Sequence, residues 1–157
     1  MTGPGLWDWA LRAYAAPEVA PLCLTLQDRH GQSVCLLLWA GWAATNGRRL
    51  TPPVVDAAAG LARRWAEAVI DPLRAARRGL KAAPGIAEAE RQGLVARLQA
   101  DELTAEQALL RALEALTPGA DGPPHAVAAA LAAAVAAWGR PAPEAMLAAL
   151  ADAFPNR

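Results

Sequence analysis

The most uniform stretch of the chain is apolar: residues 34–44 read VCLLLWAGWAA, without one polar side chain. Polar turns bound this stretch, HGQS at 30–33 and TNG at 45–47. At helical rise it is about 16 Å long, whereas a membrane-spanning helix needs about 20 apolar residues. A helix that is apolar on every side must be buried on every side. We therefore predict a helix at about 34–45 that forms the buried centre of an all-α fold and does not span a membrane.

Apolar residues at spacings of three and four predict further helices on both sides of this centre. These helices cover residues 6–16, 17–30, 54–80, 86–116, 126–138 and 141–154. Pro72 lies inside one of these patterns and should kink or split that helix, because proline removes a backbone donor. Thr104 begins a T-x-E-Q sequence that predicts a helix N-cap, so 86–116 forms one helix or two. The sequence thus predicts a bundle of six or seven helices.

The clearest break in the pattern is the segment TPGADGPP at 117–124. Clusters of glycine and proline are typical of turns and linkers. We interpret residues 1–157 as a single all-helical domain in which this linker leads to an alanine-rich helical hairpin at 125–155.

Charge and cysteine content narrow the classes of partner. The chain has fifteen basic and fifteen acidic side chains, so its formal net charge is zero. Because broad electrostatic binding needs an excess of positive charge, we expect neither nucleic acid nor an anionic membrane as a partner.

Two cysteines and no signal-peptide pattern favour a location in the cytoplasm. Cys23 and Cys35 lie at unequal distances from the Gly31 turn, so we expect no disulfide between them.

A polar cluster follows the second helix and precedes the apolar centre. It consists of Gln27, Asp28, Arg29 and His30. One hypothesis is that these residues line the mouth of a binding site for a small polar group, with His30 as a proton carrier. The alternative is an ordinary helix C-terminus, where Arg29 and His30 complement the helix dipole. The sequence favours the alternative, because helix ends need such residues in any case.

Basic side chains recur on one side of the helix that follows Thr51. They are Arg74, Arg77, Arg78 and Lys81. One hypothesis is a docking site for a phosphate or for an acidic partner protein. The alternative is a solvated and self-paired helix face, with Arg63 paired to Glu67 and Asp71 paired to Arg74. We favour this self-paired face.

The first helix carries Trp7 and Trp9, which lie roughly 200° apart around its axis. Only Asp8 and Arg12 of this helix are polar, so we expect the rest of it to be covered by its own domain or by a partner. Either one tryptophan anchors a protein interface or both are enclosed within the fold.

Motifs of catalysis and cofactor binding do not occur in the sequence. No spacing of histidine and cysteine matches a zinc site, and neither a glycine-rich phosphate loop nor a nucleophile elbow is present. We therefore assign no catalytic residue, metal or cofactor. An enzyme that uses Asp28 and His30 ranks last among the hypotheses, because nothing positions a partner group.

Two hypotheses of function remain ahead of an enzyme. The first is an interaction or adaptor protein that self-associates or binds a protein partner through its apolar N-terminal helix and its basic helix face. The second is a carrier or sensor of a hydrophobic small molecule, held between tryptophan-lined helices, since pockets between helices are common ligand sites.

The N-terminal part also carries a distinctive set of short sequences. They are LWDWAL at 6–11, CL at 23–24, LQD at 26–28 and LLL at 36–38. This pattern resembles a proteobacterial family known as domain of unknown function 2390. The resemblance covers residues 6–47 well and fades near residue 82. It implies a bacterial, cytoplasmic, helical protein and brings no established activity or catalytic residues.

Overall fold

A computed structural model of the chain describes residues 3–156. Its helices are α1 (Leu6–Ala15), α2 (Val19–His30), α3 (Val34–Thr45), α4 (Pro52–Trp65), a π-helical segment (Ala66–Ile70), α5 (Asp71–Ala82), α6 (Glu88–Leu116), α7 (Val127–Trp138) and α8 (Glu144–Ala153). Counted with α4, the π segment and α5 as one continuous helix, the described residues form seven helices and no strand, which confirms the predicted all-α class. None of these helices is long and apolar enough to cross a membrane.

Helix α3 lies at the centre of the fold, as its sequence predicts. Every residue from Cys35 to Thr45 is buried, and α1, α2, α4, α6 and α7 all contact this helix. Two tryptophans of α3 satisfy their indole N–H groups inside the fold. Trp39 donates to Thr117 Oγ1 at 2.7 Å and Trp42 donates to the Pro4 carbonyl at 2.9 Å. The apolar segment is therefore covered on all sides by the chain itself.

The helix predicted to kink or split at Pro72 carries a π segment directly before this residue. The Asp71 amide bonds to the Ala66 carbonyl, five residues back, in place of the usual four. Proline at residue 72 has no N–H and its ring clashes with the carbonyl four residues earlier, so a regular α-helix cannot pass through this position unchanged. The wider π turn lets the helix continue into α5, and it places Ile70 in the core.

Helix α6 is one helix of 29 residues, so the N-cap predicted at Thr104 is wrong. The Thr104 hydroxyl instead donates to the Ala100 carbonyl at 3.0 Å, four residues back within the same helix. The helix continues because one face of it, including Leu109 and Leu113, packs into the core.

The alanine-rich hairpin formed by α7 and α8 packs on the bundle. Leu131 and Leu150 are fully buried in the same hydrophobic cluster as α3. The 117–124 segment is non-helical and is tied to the end of α3, where the Gly122 amide donates to the Gly47 carbonyl at 3.2 Å. These contacts bring the C-terminal end of α7 close to the turn between α2 and α3.

Candidate functional site

A cavity of about 480 Å³ opens where the α2–α3 turn, the π segment and the C-terminal end of α7 meet. Its lining combines charged and polar side chains with apolar side chains. The charged and polar part comprises Gln27, Asp28, Gln32, Ser33, Arg63, Glu67, Asp71, Arg74, Arg78, Glu106, Trp138 and Arg140. The apolar part includes Val34, Ile70 and Leu109. We refer to this space as the polar cavity.

Two local features stabilise the α2–α3 turn. Gly31 ends α2 in the left-handed conformation, at a φ of 62°, which glycine adopts without a steric penalty. Ser33 caps the start of α3, where its Oγ accepts from the Leu36 amide at 3.3 Å. The chain therefore reverses within three residues and presents the start of α3 to the polar cavity.

The end of α7 is bonded to the same turn. The Trp138 indole N–H donates to the Gly31 carbonyl at 2.7 Å. The buried Gln32 amide donates to the Arg140 carbonyl at 2.9 Å and to the His30 carbonyl at 3.2 Å. These bonds fix the Trp138 ring as one wall of the polar cavity.

Arg74 joins three helices at another wall of the cavity. Its guanidinium donates to Gln27 Oε1 at 3.1 Å and lies 3.6 Å from a Glu106 oxygen and 3.4 Å from an Asp71 oxygen. Only 15% of its side chain is exposed, and its Nε is buried without a hydrogen-bond partner among residues 3–156. The C-terminal end of α2, the start of α5 and the middle of α6 thus meet at one cation.

Two of the three other basic residues predicted on this face also have acidic neighbours within the described part of the chain. Arg78 bonds to Asp28 at 2.9 Å, and Arg77 forms a two-bond pair with the buried carboxylate of Glu102. Lys81 is exposed and has no ion pair within the described part of the chain. Charge complementarity within the chain therefore accounts for most of this basic face.

The structure brings together two sets of residues that the sequence treats as separate. Gln27 and Asp28 from the turn cluster contact Arg74 and Arg78 from the basic helix face, and all four line the polar cavity. The remaining candidates, Arg29, His30, Arg77 and Lys81, do not line it.

Arg63 and Arg140 lie at the α7 side of the cavity. Arg63 donates to the Trp138 carbonyl at 2.9 Å, with its guanidinium carbon 5.3 Å from the centre of the Trp138 ring. No carboxylate within residues 3–156 lies within 4.0 Å of either arginine. The pair predicted between Arg63 and Glu67 is therefore absent, because Arg63 reaches the end of α7 instead, whereas the Asp71–Arg74 pair forms.

Burial changes the acid–base properties of three groups near the cavity. Burial raises the pKa of Glu106 above its ordinary value, and nearby Arg74 only partly offsets this effect. Burial also raises the pKa of the Cys35 thiol, which lines the cavity, and that of Cys23 to about 11. Both cysteines are free and buried, and their thiols stay protonated near neutral pH, so neither is poised as a nucleophile. Within the described residues, no group of three or more His, Cys, Asp or Glu is placed to hold a metal ion.

Helix α1 lies apart from the lining of this cavity. Trp9 is fully buried and packs edge to face on Phe154, whereas Trp7 is half-buried against the core. Leu11 and Tyr14 are 53% and 42% exposed, so the chain itself does not cover this part of α1. The helix turns one side to the core and the other to solvent, and only one of the two tryptophans is enclosed.

Sequence reasoning missed the contributions of Arg63, Glu106, Trp138 and Arg140 to the cavity. Each of these residues resembles an ordinary helix-surface or helix-end group when the sequence is considered alone. They meet only because α4, α6 and α7 pack around the α2–α3 turn, and no local pattern encodes that meeting.

The fold and the cavity together define an all-helical protein with a polar, charge-lined pocket between its helices. The chain belongs to the family described as Protein of unknown function (DUF2390), which matches residues 5–113. The match agrees with the N-terminal resemblance and extends beyond residue 82 through most of α6. No curated protein and no solved structure matches the chain. Trp138 and Arg140 lie outside the matched residues.

Proposed function

We propose that the protein binds a small polar molecule in the polar cavity. The observation that supports this proposal is the convergence of charged side chains from separate helices on one space, among them Asp28, Arg63, Arg74 and Glu106. The volume of about 480 Å³ lies within the range of about 300–1,000 Å³ that is usual for small-molecule sites.

The free-energy cost of burying these charged side chains supports ligand binding over a purely structural role for them. Removing charged groups from water costs free energy, and partly buried ion pairs are often no more stable than apolar contacts of the same shape. Arg74 and Glu106 are both largely withdrawn from solvent, and the Arg74 Nε lacks a partner within the described residues. A ligand with hydrogen-bonding groups would offset part of this cost.

The local backbone also supports a site at this place. The π segment contributes Ala66, Glu67 and Ile70 to the cavity. Such π-helical turns are rare and are frequently found at functional sites. The cavity therefore combines a charged lining with an irregular helix.

The charged side chains of the lining favour a polar ligand over the hydrophobic molecule considered from the sequence. Trp138 is the one tryptophan among the described residues that line the cavity. Trp9, Trp39 and Trp42 are fully buried in the core and do not line the polar cavity.

A pair of neighbouring substitutions tests the proposal. Ala75 is exposed and lines the cavity, whereas Ala76 is exposed and does not. Ala75→Trp should fill part of the cavity without displacing a core residue, and Ala76→Trp serves as the matched control. We would screen small polar metabolites one at a time by thermal melting. We expect some of them to raise the melting temperatures of the wild type and of Ala76→Trp but not that of Ala75→Trp.

Two results would contradict the proposal. One is that no compound raises the melting temperature of the wild type. The other is that Ala75→Trp responds to every active compound as strongly as its control does, because the ligands would then bind elsewhere.

A second candidate function is protein interaction through the outer side of α1 and α2. Leu11, Tyr14 and Leu24 are 53%, 42% and 57% exposed, which is high for large apolar side chains. If they contact a second copy of the chain, Leu11→Glu with Leu24→Glu should lower the sedimentation coefficient at a concentration where the wild type associates. A wild type that sediments as a monomer at high concentration would exclude self-association.

A further inference from the structure

One end of the polar cavity, the arginine end, is positively charged. Arg63 and Arg140 both line it, and neither has a carboxylate of the described residues within 4.0 Å. The guanidinium of Arg140 lies against Gly31, where a Cβ would come within 2.1 Å of its Nη1. A carboxylate or another small anion at this end would meet two guanidinium groups, which bind such anions through paired hydrogen bonds.

The opposite end, the carboxylate end, carries an excess of negative charge. Asp28 is matched by Arg78, but Asp71 and Glu106 share the single cation of Arg74. Glu67 lies between the two ends, one helical turn after Arg63, and has no basic partner within 4.0 Å among residues 3–156. An ammonium group at this end would therefore be attracted by carboxylates that the protein leaves uncompensated.

Part of the space between the two ends is apolar. Along the continuous helix, Ala66, Glu67 and Ile70 line the cavity between Arg63 and Asp71. At about 1.5 Å of rise per residue, Arg63 and Asp71 are roughly 12 Å apart along the axis. Leu109 of α6 lines the same space. A short hydrocarbon chain would fit between the charged ends.

We infer that the molecule bound in the polar cavity is a small zwitterion, with an anionic group at the arginine end and an ammonium group at the carboxylate end. This inference rests on the proposed function and adds the chemical class of the ligand. The lining has four arginines and four carboxylates, so its net charge is zero. This agrees with a ligand whose own net charge is zero.

A matched set of probes separates the two charges. We would titrate the wild-type protein by calorimetry with ε-aminocaproate, with caproate, which lacks the amine, and with n-hexylamine, which lacks the carboxylate. The shorter γ-aminobutyrate and δ-aminovalerate test the fit between the two ends. Because each charged hydrogen bond contributes about 1.5 kcal/mol or more, the best zwitterion should bind at least about tenfold tighter than either singly charged probe.

Two substitutions assign the charges to the two ends, and a third serves as the control. Arg140→Gln should weaken binding of the zwitterion and leave the affinity for n-hexylamine unchanged. Glu106→Gln should weaken binding of the zwitterion and leave the affinity for caproate unchanged. Arg97→Gln is the control, because Arg97 is exposed on α6 and does not line the cavity. A melting curve of each variant establishes that it folds.

The outcomes distinguish this inference from the proposed function. If caproate or n-hexylamine binds as tightly as every zwitterion, or if no zwitterion binds, the zwitterion inference is overturned. The proposed function then stands or falls separately, on whether any other polar metabolite distinguishes Ala75→Trp from Ala76→Trp.

Discussion

At the scale of single residues, Gly41 illustrates how a residue that weakens a helix can improve packing. A Cβ on Gly41 would lie 2.5 Å from the Phe154 ring and 3.0 Å from the Trp9 ring, both of which are buried. The absence of a side chain lets α1 and the end of α8 approach α3 closely. By contrast, a Cβ on Gly93 of α6 would meet nothing within 4 Å.

Alanine at these two glycines should therefore have opposite effects. Gly93→Ala should raise the free energy of unfolding by up to about 1 kcal/mol, because alanine favours the helix. Gly41→Ala gains the same preference but should lower the free energy of unfolding by about 1–3 kcal/mol, because it overpacks the core. Urea denaturation of both variants measures the difference. A stabilised Gly41→Ala would show that the aromatic rings do not pack closely on α3.

Glu106 links the cavity to the pH dependence of stability. Because burial raises its pKa in the folded state, its protonated form is favoured by folding and its charged form is disfavoured. The stability that this group contributes is present at pH values below its unfolded pKa. It is lost as the pH rises through the folded pKa.

Replacing the Glu106 carboxyl by an amide should thus raise the free energy of unfolding more at neutral pH than in acid. We expect the free energy of unfolding of Glu106→Gln, relative to the wild type, to be more favourable at pH 7 than at pH 4. Glu90→Gln, an exposed control on the same helix, should show no such dependence on pH. A difference for Glu106→Gln that stays constant between the two pH values would contradict the assignment.

At the scale of elements, α5 is held to the bundle by charged as well as apolar side chains. None of its residues is buried, yet it packs along α6. The side chains of Arg77 and Glu102 are only 18% and 10% exposed. The pair between Arg78 and Asp28 is much more exposed, at 59% and 47%. Two ion pairs on neighbouring residues of one helix therefore differ mainly in their burial.

The two pairs should differ in their effect on stability. Arg77→Ala leaves a buried carboxylate without its partner and should lower the free energy of unfolding by about 2–4 kcal/mol. Arg78→Ala should change it by less than about 1 kcal/mol, because water screens the exposed pair. Chemical denaturation of the two variants tests this expectation. Equal losses would mean that α5 is not held to α6 through Arg77.

At this scale, the sequence predicts those helix positions and helix ends that depend on local chemistry alone. Residues 34–45 form a buried helix because nothing polar interrupts them, and Gly31 ends α2 because it adopts a positive φ at no steric cost. The N-cap predicted at Thr104 fails because core packing of α6 overrides a local capping pattern. An irregularity of the helix near Pro72 is predictable, but its π-helical form depends on the surroundings of the helix.

At the scale of the whole molecule, the polar cavity depends on contacts between distant parts of the chain. Gln27 bonds to Arg74, 47 residues away, and Trp138 bonds to Gly31, 107 residues away. The sequence identifies the turn cluster and the basic face as candidates, but it cannot show that they meet. Their meeting follows from the packing of α2, α5, α6 and α7 around one turn.

Hydrogen–deuterium exchange tests the central claim, that the polar cavity is a ligand site, most directly. On addition of the tightest-binding polar molecule, we predict slower amide exchange in three segments that are remote in sequence, residues 27–35, 62–75 and 138–140. Exchange in residues 88–100 of α6, which do not line the cavity, should stay unchanged. Protection confined to α1 and α2, or spread evenly over all helices, would contradict the account, because the ligand would then bind outside the polar cavity.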